Sequence, residues 1–199
     1  MFKKLIVTAI ATLPLLFGAT VADAAGPAGF SRGIAKTPAV SFIRERSPTL
    51  APFAHVKFCK SNPADCNAGR GEAIVNLTGA KRGQLQSVNA QVNRSMRARS
   101  DQNGAAGDIW QAGTQSGDCE DFALTKRRQL ISMGWSPRSL RVAVATTSSG
   151  EGHAVLLVKT SKGDLVLDNR TSTIKNWRRT DLRWVKIQSG DNPRRWFSL

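Results

Sequence analysis

Gly117-Asp118-Cys119-Glu120-Asp121-Phe122-Ala123, running on as LTKRRQLISMG to Gly134, sets a cysteine among three carboxylates where a helix should begin. Ser116 and Asp118 are N-cap residue types, and Glu120 and Asp121 suit the positive end of the helix dipole. Phe122, Leu124, Leu130, Ile131 and Met133 give the segment an apolar side, and Gly134 after Met133 is a C′ stop signal. A thiol in the first turn faces unpaired backbone N–H groups, which favour the thiolate and a lowered pKa. The neighbouring carboxylates oppose this by like-charge repulsion. Something positive must offset them: a histidine, a metal ion, or both.

Working outward, the period of the apolar pattern differs on the two sides of this helix. Upstream, Thr78 can cap a helix to about Arg97, with Leu85, Val88, Val92 and Met96 forming one stripe. Asn89 and Asn93 lie one turn apart beside that stripe, either as surface polar residues or with one of them reaching the site. Downstream, Leu140 to Thr146, His153 to Thr160, Leu165 to Asp168 and Trp184 to Ile187 are β-branched, strand-like runs. Helices followed by closely connected strands predict an α+β fold with a mostly antiparallel sheet.

The chain has 199 residues and a formal charge of +15. Met1-Phe2-Lys3-Lys4, an apolar run from Leu5 to Val21 and the small-residue site Ala22-Asp23-Ala24 read as a secretory leader cut after Ala24. The expected organisation is a leader over 1–24, an extended Gly/Pro/Ala-rich arm over 25–52 and one domain over 53–199. Such a leader predicts a periplasmic or secreted protein. Lys and Arg are scattered and no zinc-finger or RNA-binding signature is present, so the charge is read as attraction to anionic envelope surfaces or acidic partners, not nucleic acid.

Three cysteines and two histidines limit the chemistry. Cys59 and Cys66 flank the turn-forming Asn62-Pro63 and Asp65, and in an oxidising compartment they form a disulfide loop. Cys119 is then left over. His153 opens a strand, and Asp168-Asn169 ends the next one. A two-residue turn at Lys162-Gly163 leaves His153 and Asp168 on one face but about 13 Å apart. A four-residue turn from Lys159 to Lys162 sets them directly opposite. Only the second, or a bulge of the same effect, completes a Cys–His–Asp relay in which a thiolate attacks, an imidazole carries the proton and a carboxylate fixes the imidazole.

GDCEDFALTKRRQLISMG followed by GHAVLLVKTSKGDLVLDN resembles the bacterial transglutaminase-like cysteine peptidases, which include periplasmic adhesin-processing proteases. The likeness runs from about Phe58 to Trp196. It implies a papain/transglutaminase-like fold with Cys119 as nucleophile, His153 as base and acid, and Asp168 as the orienting carboxylate. It also implies Ca²⁺ at Asp118, Glu120 and Asp121, where oxygen-only ligands suit a hard cation. The expected partner is a protein substrate of the envelope, such as a surface adhesin. The same triad serves transglutaminases and amidases, because only the second nucleophile differs. A non-catalytic, basic envelope-binding module is the reading from another class.

Overall fold

The computed structural model describes residues 41–67, 69–101 and 107–199. The expected leader, the arm up to residue 40 and part of the polar loop before Trp110 lie outside the described residues. In chain order the elements are strand Pro48–Thr49 (β1), helix Phe53–Ser61 (α1), helix Gly79–Ser95 (α2) and strand Arg97–Ala98 (β2). Strand Ser116–Gly117 (β3) and helix Cys119–Ser132 (α3) follow, then strands Leu140–Thr146 (β4), Gly152–Thr160 (β5) and Gly163–Leu167 (β6). Lys175–Asn176 (β7), Arg183–Gln188 (β8) and Trp196–Ser198 (β9) complete the series.

Seven strands form one sheet in the order β1-β9-β8-β4-β5-β6-β7, with antiparallel neighbours throughout. Alternation along each strand splits the apolar residues between two faces. On one face Val142, Leu156, Val158, Leu165 and Leu167 pack with Leu85, Val88, Val92, Phe122 and Leu130 of the helices. Ala143, Ala145, Val155, Leu157, Val166 and Ile187 form a second cluster with Ile43 and Leu182. Each large aliphatic side chain buried there contributes about 1.5–3 kcal/mol. The fold is therefore α+β and transglutaminase-like, with the cysteine helix laid on a mostly antiparallel sheet.

The two long helices start and stop where the sequence signals them. Thr78 caps α2 by accepting from the Lys81 N–H. The last turn of α3 closes with Gly134 N–H on the Ile131 carbonyl and Trp135 N–H on the Leu130 carbonyl, a Schellman arrangement with Gly134 at φ 86°. Residues 41–52 lie along the domain. Ile43 N–H donates to Asp164 Oδ2 at 2.7 Å, Glu45 pairs with Arg141 at 2.8 Å, and β1 pairs with β9.

Helix α1 lies where the sequence reading placed only a disulfide loop. Cys59, on this helix, is bonded to Cys66 in the following 3₁₀ turn. That turn is fastened to α3: Arg128 grips the Asp65 carboxylate at 2.6 and 3.0 Å, and Arg127 donates to the Asp65 carbonyl. His55 sits beneath the disulfide, accepting from Gln188 Nε2 at 2.7 Å and lying edge-on to the Trp110 and Trp196 rings. Burial pulls its pKa down to about 4, with Arg127 and Arg194 adding to the effect, so this imidazole is neutral.

Candidate active site

The loop before α3 is tied to the helix before the cysteine is reached. Asp121 Oδ1 accepts from Gln111 N–H at 2.6 Å, Thr125 Oγ1 from Gly113 N–H at 2.9 Å, and Arg128 donates to the Ala112 carbonyl. Trp110 is the buried anchor of this loop. Gln111 thus gives its backbone N–H to Asp121. The result is a rigid turn that presents Cys119 at the head of α3, with Asp118 in the N-cap position.

Cys119 is the free cysteine among the described residues. Its sulfur accepts from the Ala154 N–H at 3.2 Å and faces Glu120 Oε2 at 3.0 Å. The Ala154 contact docks the helix start against β5, one residue past His153. Burial raises the thiol pKa well above its ordinary value, and the Glu120 charge raises it further. This corrects the expectation of a low-pKa thiol. The backbone amides at the helix start do not outweigh burial and a carboxylate 3.0 Å away.

His153 and Asp168 meet: Nε2 and Oδ1 are 2.9 Å apart, both side chains buried. Neither of the two turns weighed from sequence produces this contact. Thr160 pairs with Gly163, so the turn is Ser161-Lys162, and Leu156 pairs with Leu167. Continuing that register puts Asp168 opposite Val155, diagonal to His153 on the same face. Diagonal neighbours stand about 7–8 Å apart at the backbone, a gap that an imidazole and a carboxylate span.

Asp168 lies just beyond β6, and its position is set by side chains. Arg170 grips the carboxylate at 2.9 and 3.1 Å while holding Asp181 with its remaining donors at 2.8 and 3.1 Å. Asn93 donates to the Asp168 and Thr171 carbonyls, and Asn89 to those of Thr171 and Ser172. Both asparagines of the α2 stripe therefore reach the site, through the backbone that carries the acid. Burial would raise the Asp168 pKa, but the hydrogen bonds from His153 and Arg170 overcome it and hold the carboxyl far below its usual range.

The acids around Cys119 outnumber those read from sequence. Burial pushes Glu120 up to about 9, with Asp118 and Asp108 within hydrogen-bonding reach of it. Burial also raises Asp118, which feels Asp101 and Asp108. Asp121 is pushed up to about 7 by burial, against its bond from Gln111. Asp101 and Asp108 escaped the sequence reading because a loop, not a periodic element, brings them in. Asp108 Oδ1 and Asp118 Oδ1 are buried without a partner among the described residues. Cys119, Glu120, His153, Trp110, Pro52 and Lys186 line one open cleft of about 640 Å³.

A helix-borne thiol docked beside a strand-borne imidazole and its carboxylate is the arrangement of papain- and transglutaminase-like thiol hydrolases. The model for the bacterial transglutaminase-like cysteine proteinases matches residues 45–199, and the chain belongs to that family of cysteine peptidases. No curated protein matches it. Among solved structures it is similar to Legionella pneumophila LapG. The calcium-bound form is 29% identical over 53% of this chain and 64% of that one, with a TM-score of 0.48. A second LapG structure is 31% identical over 53% and 62%, at 0.48, and an EGTA-treated one 29% identical over the same shares, at 0.47. This chain thus spans under two thirds of those chains.

Proposed function

We propose that the chain is an exported endopeptidase that cleaves a protein of the cell envelope through Cys119, His153 and Asp168. The observation carrying this reading is the joint geometry at the head of β5. Asp168 takes the His153 Nε2 position at 2.9 Å, and the next residue's N–H holds the Cys119 sulfur at 3.2 Å. With Nε2 on the carboxylate, Nδ1 is the nitrogen left to receive the thiol proton. Cys119 then attacks the scissile carbonyl, and the developing oxyanion draws on backbone N–H groups at the start of α3. His153 returns the proton to the departing amine, and water releases the acyl group from sulfur. The leader over 1–24 supports export, and the positive charge supports association with anionic envelope surfaces.

Asp118, Glu120 and Asp121, joined by Asp101 and Asp108, would hold Ca²⁺. Partnerless Asp108 and Asp118 oxygens, raised carboxyl pKa values and an oxygen-only donor set fit a hard divalent cation. Among the described residues the one set of three metal-binding side chains with ligand atoms within 4.8 Å of one another is His55, Cys59 and Cys66, whose sulfurs are bonded together. The acids beside Cys119 meet in pairs, Glu120 with Asp118 and with Asp108. Held there, Ca²⁺ would supply positive charge beside the thiol, and the same carboxylates would then brace the turn presenting it.

The test is to incubate the protein lacking residues 1–24, and its Cys119→Ser variant, with an envelope-protein fraction in calcium and in EGTA. New protein N-termini are then identified by mass spectrometry. Fragments that require both Cys119 and calcium are the expected result. Identical fragment patterns from the two proteins overturn the peptidase assignment of Cys119, and full cleavage in EGTA overturns the calcium assignment.

A further inference from the structure

Asp168 is buried, and its two carboxylate oxygens are held by different partners. Oδ1 faces His153 Nε2 at 2.9 Å and accepts from the Arg170 backbone N–H at 2.9 Å, a bond to the amide two residues on that closes an Asx turn. Oδ2 is held, among the described residues, by the Arg170 side chain alone, from Nη2 at 2.9 Å and Nε at 3.1 Å. The guanidinium is itself anchored. Nη2 donates to Asp181 Oδ1 at 2.8 Å and Nη1 to Asp181 Oδ2 at 3.1 Å, a forked grip that suits a planar guanidinium and not an ammonium. Asp181 has no other side-chain partner among the described residues. Side-chain exposure rises along the row, from 6% at Asp168 through 35% at Arg170 to 51% at Asp181. One cation thus stands between a buried carboxylate and a solvated one.

The two ends of this row differ in what they do. An ion pair at an exposed carboxylate adds little to stability, because water screens it. A carboxylate taken out of water must be paired, or it takes up a proton or turns away. Without the guanidinium, Oδ2 has no donor among the described residues, and nothing but the bonds at Oδ1 fixes the carboxylate plane. His153 then loses a firmly oriented acceptor, and with it the arrangement that leaves Nδ1 for the thiol. A cavity of about 500 Å³ opens on the row, lined in part by Asp168, Arg170, Lys175, Arg179 and Asp181. It shares no lining residue with the cleft that holds Cys119. Changes at Arg170 and Asp181 therefore leave the lining of the substrate cleft in place.

We propose that Arg170 and Asp181 are a positioning pair for the triad acid. Asp181 holds the guanidinium, the guanidinium fixes Asp168 Oδ2, and Oδ1 is thereby kept on His153. The role rests on the triad reading above. Neither residue of the pair touches substrate, and Asp181 acts on the reaction only through Arg170.

A double-mutant cycle tests this, read as p-nitrophenyl acetate turnover in calcium with Cys119→Ser as blank. Arg170→Gln keeps the backbone bond to Oδ1 and removes the grip on Oδ2. It should lose about ten- to a hundredfold in kcat at unchanged KM, the penalty of a small misplacement in a catalytic group. Asp181→Asn, at an exposed site, should melt within about 2 °C of wild type. It should still lose roughly three- to tenfold in kcat, a smaller misplacement of the same group. The double variant should be no slower than Arg170→Gln, because residues acting in series do not add. The chain has only two histidines, so the His153 ring signals are readily followed by NMR. They should shift in both single variants while those of His55 stay. Wild-type kcat in either folded single variant overturns the proposal, as do multiplied losses in the double variant, an unshifted His153 ring, or a change in KM alone. Should Arg170→Gln not fold, Asp181→Asn decides by kcat and ring shift. If Cys119→Ser retains ester turnover, the triad reading has failed, and the ring shifts still judge Arg170 and Asp181.

Discussion

Gly117→Ala should disable the turn that presents Cys119. Gly117 is buried in β3, directly before the helix N-cap. A methyl group there would fall inside the Asp121 carboxylate and within 2.6 Å of the Asp121 Cβ. Rotating Asp121 relieves its carboxylate but not its Cβ, so the backbone of β3 or of the first helical turn must also move. Rotation gives up the bond from Gln111 N–H, worth about 1.5–3 kcal/mol as a hydrogen bond to a charged group. An off-rotamer side chain adds about 0.5–1.5 kcal/mol. Together these come to about 3 kcal/mol, which for a chain of this size lowers the melting temperature by roughly 6–12 °C. Thermal melting by circular dichroism, with p-nitrophenyl acetate turnover beside it, measures both effects. Gly83→Ala is the matched control, since nothing lies within 4 Å of its added methyl on α2. It should stabilise by about 0.5–1 kcal/mol. A Gly117→Ala protein that melts like wild type and keeps its turnover refutes the reasoning.

Asp168→Asn should fold and lose turnover by a factor on the order of 10⁴, since the amide favours the wrong imidazole tautomer. Because the folded Asp168 pKa lies below its unfolded value, its contribution to stability is full above the ordinary carboxylate range. It fades as pH falls through the folded value, so wild type should lose this increment in urea melts under strongly acid conditions and Asp168→Asn should not. His55 has the opposite protonation logic. Its folded pKa of about 4 lies below the unfolded 6.5, so acid favours the unfolded chain, which takes up the proton first. Urea unfolding should show about 3 kcal/mol lost between pH 6.5 and 4, and a flat profile there would contradict a neutral, buried His55. Alkylation of the unreduced, unfolded protein should label Cys119 alone. Replacing Cys59 and Cys66 by serine should cost about 2–3 kcal/mol for so short a loop, read from chemical denaturation.

How much could be read from the residues followed element length and locality. The α3 start, the Gly134 stop and β4 to β6 are local patterns, and they stand in the structure within two residues of the sequence reading. Helix α1 was hidden because FAHVKFCKS leaves Phe53 and Val56 on the surface and lacks a capping side chain. Strands β1, β7 and β9 are two or three residues long, too short for a period to show. The His153–Asp168 contact depends on a one-residue choice of turn, and Ser161-Lys162 offers no glycine at either central position to announce itself. Lys126 and Arg127 are of residue types that ordinarily stay at the surface. Both are buried, and Arg127 donates to the Asp65 and Leu140 carbonyls, contacts between distant segments that no local pattern announces.

Strand β9 is last in chain order but sits inside the sheet, between β1 and β8, with Trp196 packed against His55 and Trp110. Nothing synthesised earlier can take its place there. Before residues 196–198 are made, β8 and β1 face each other across a vacant position and His55 lacks one wall of its cage. The domain cannot close during elongation, and its assembly waits for the whole span to emerge. For a chain expected to be threaded across a membrane this is an advantage of timing. On the export proposed above, the polypeptide would still be slack enough to pass through a channel, and the thiol site would take shape only on the far side.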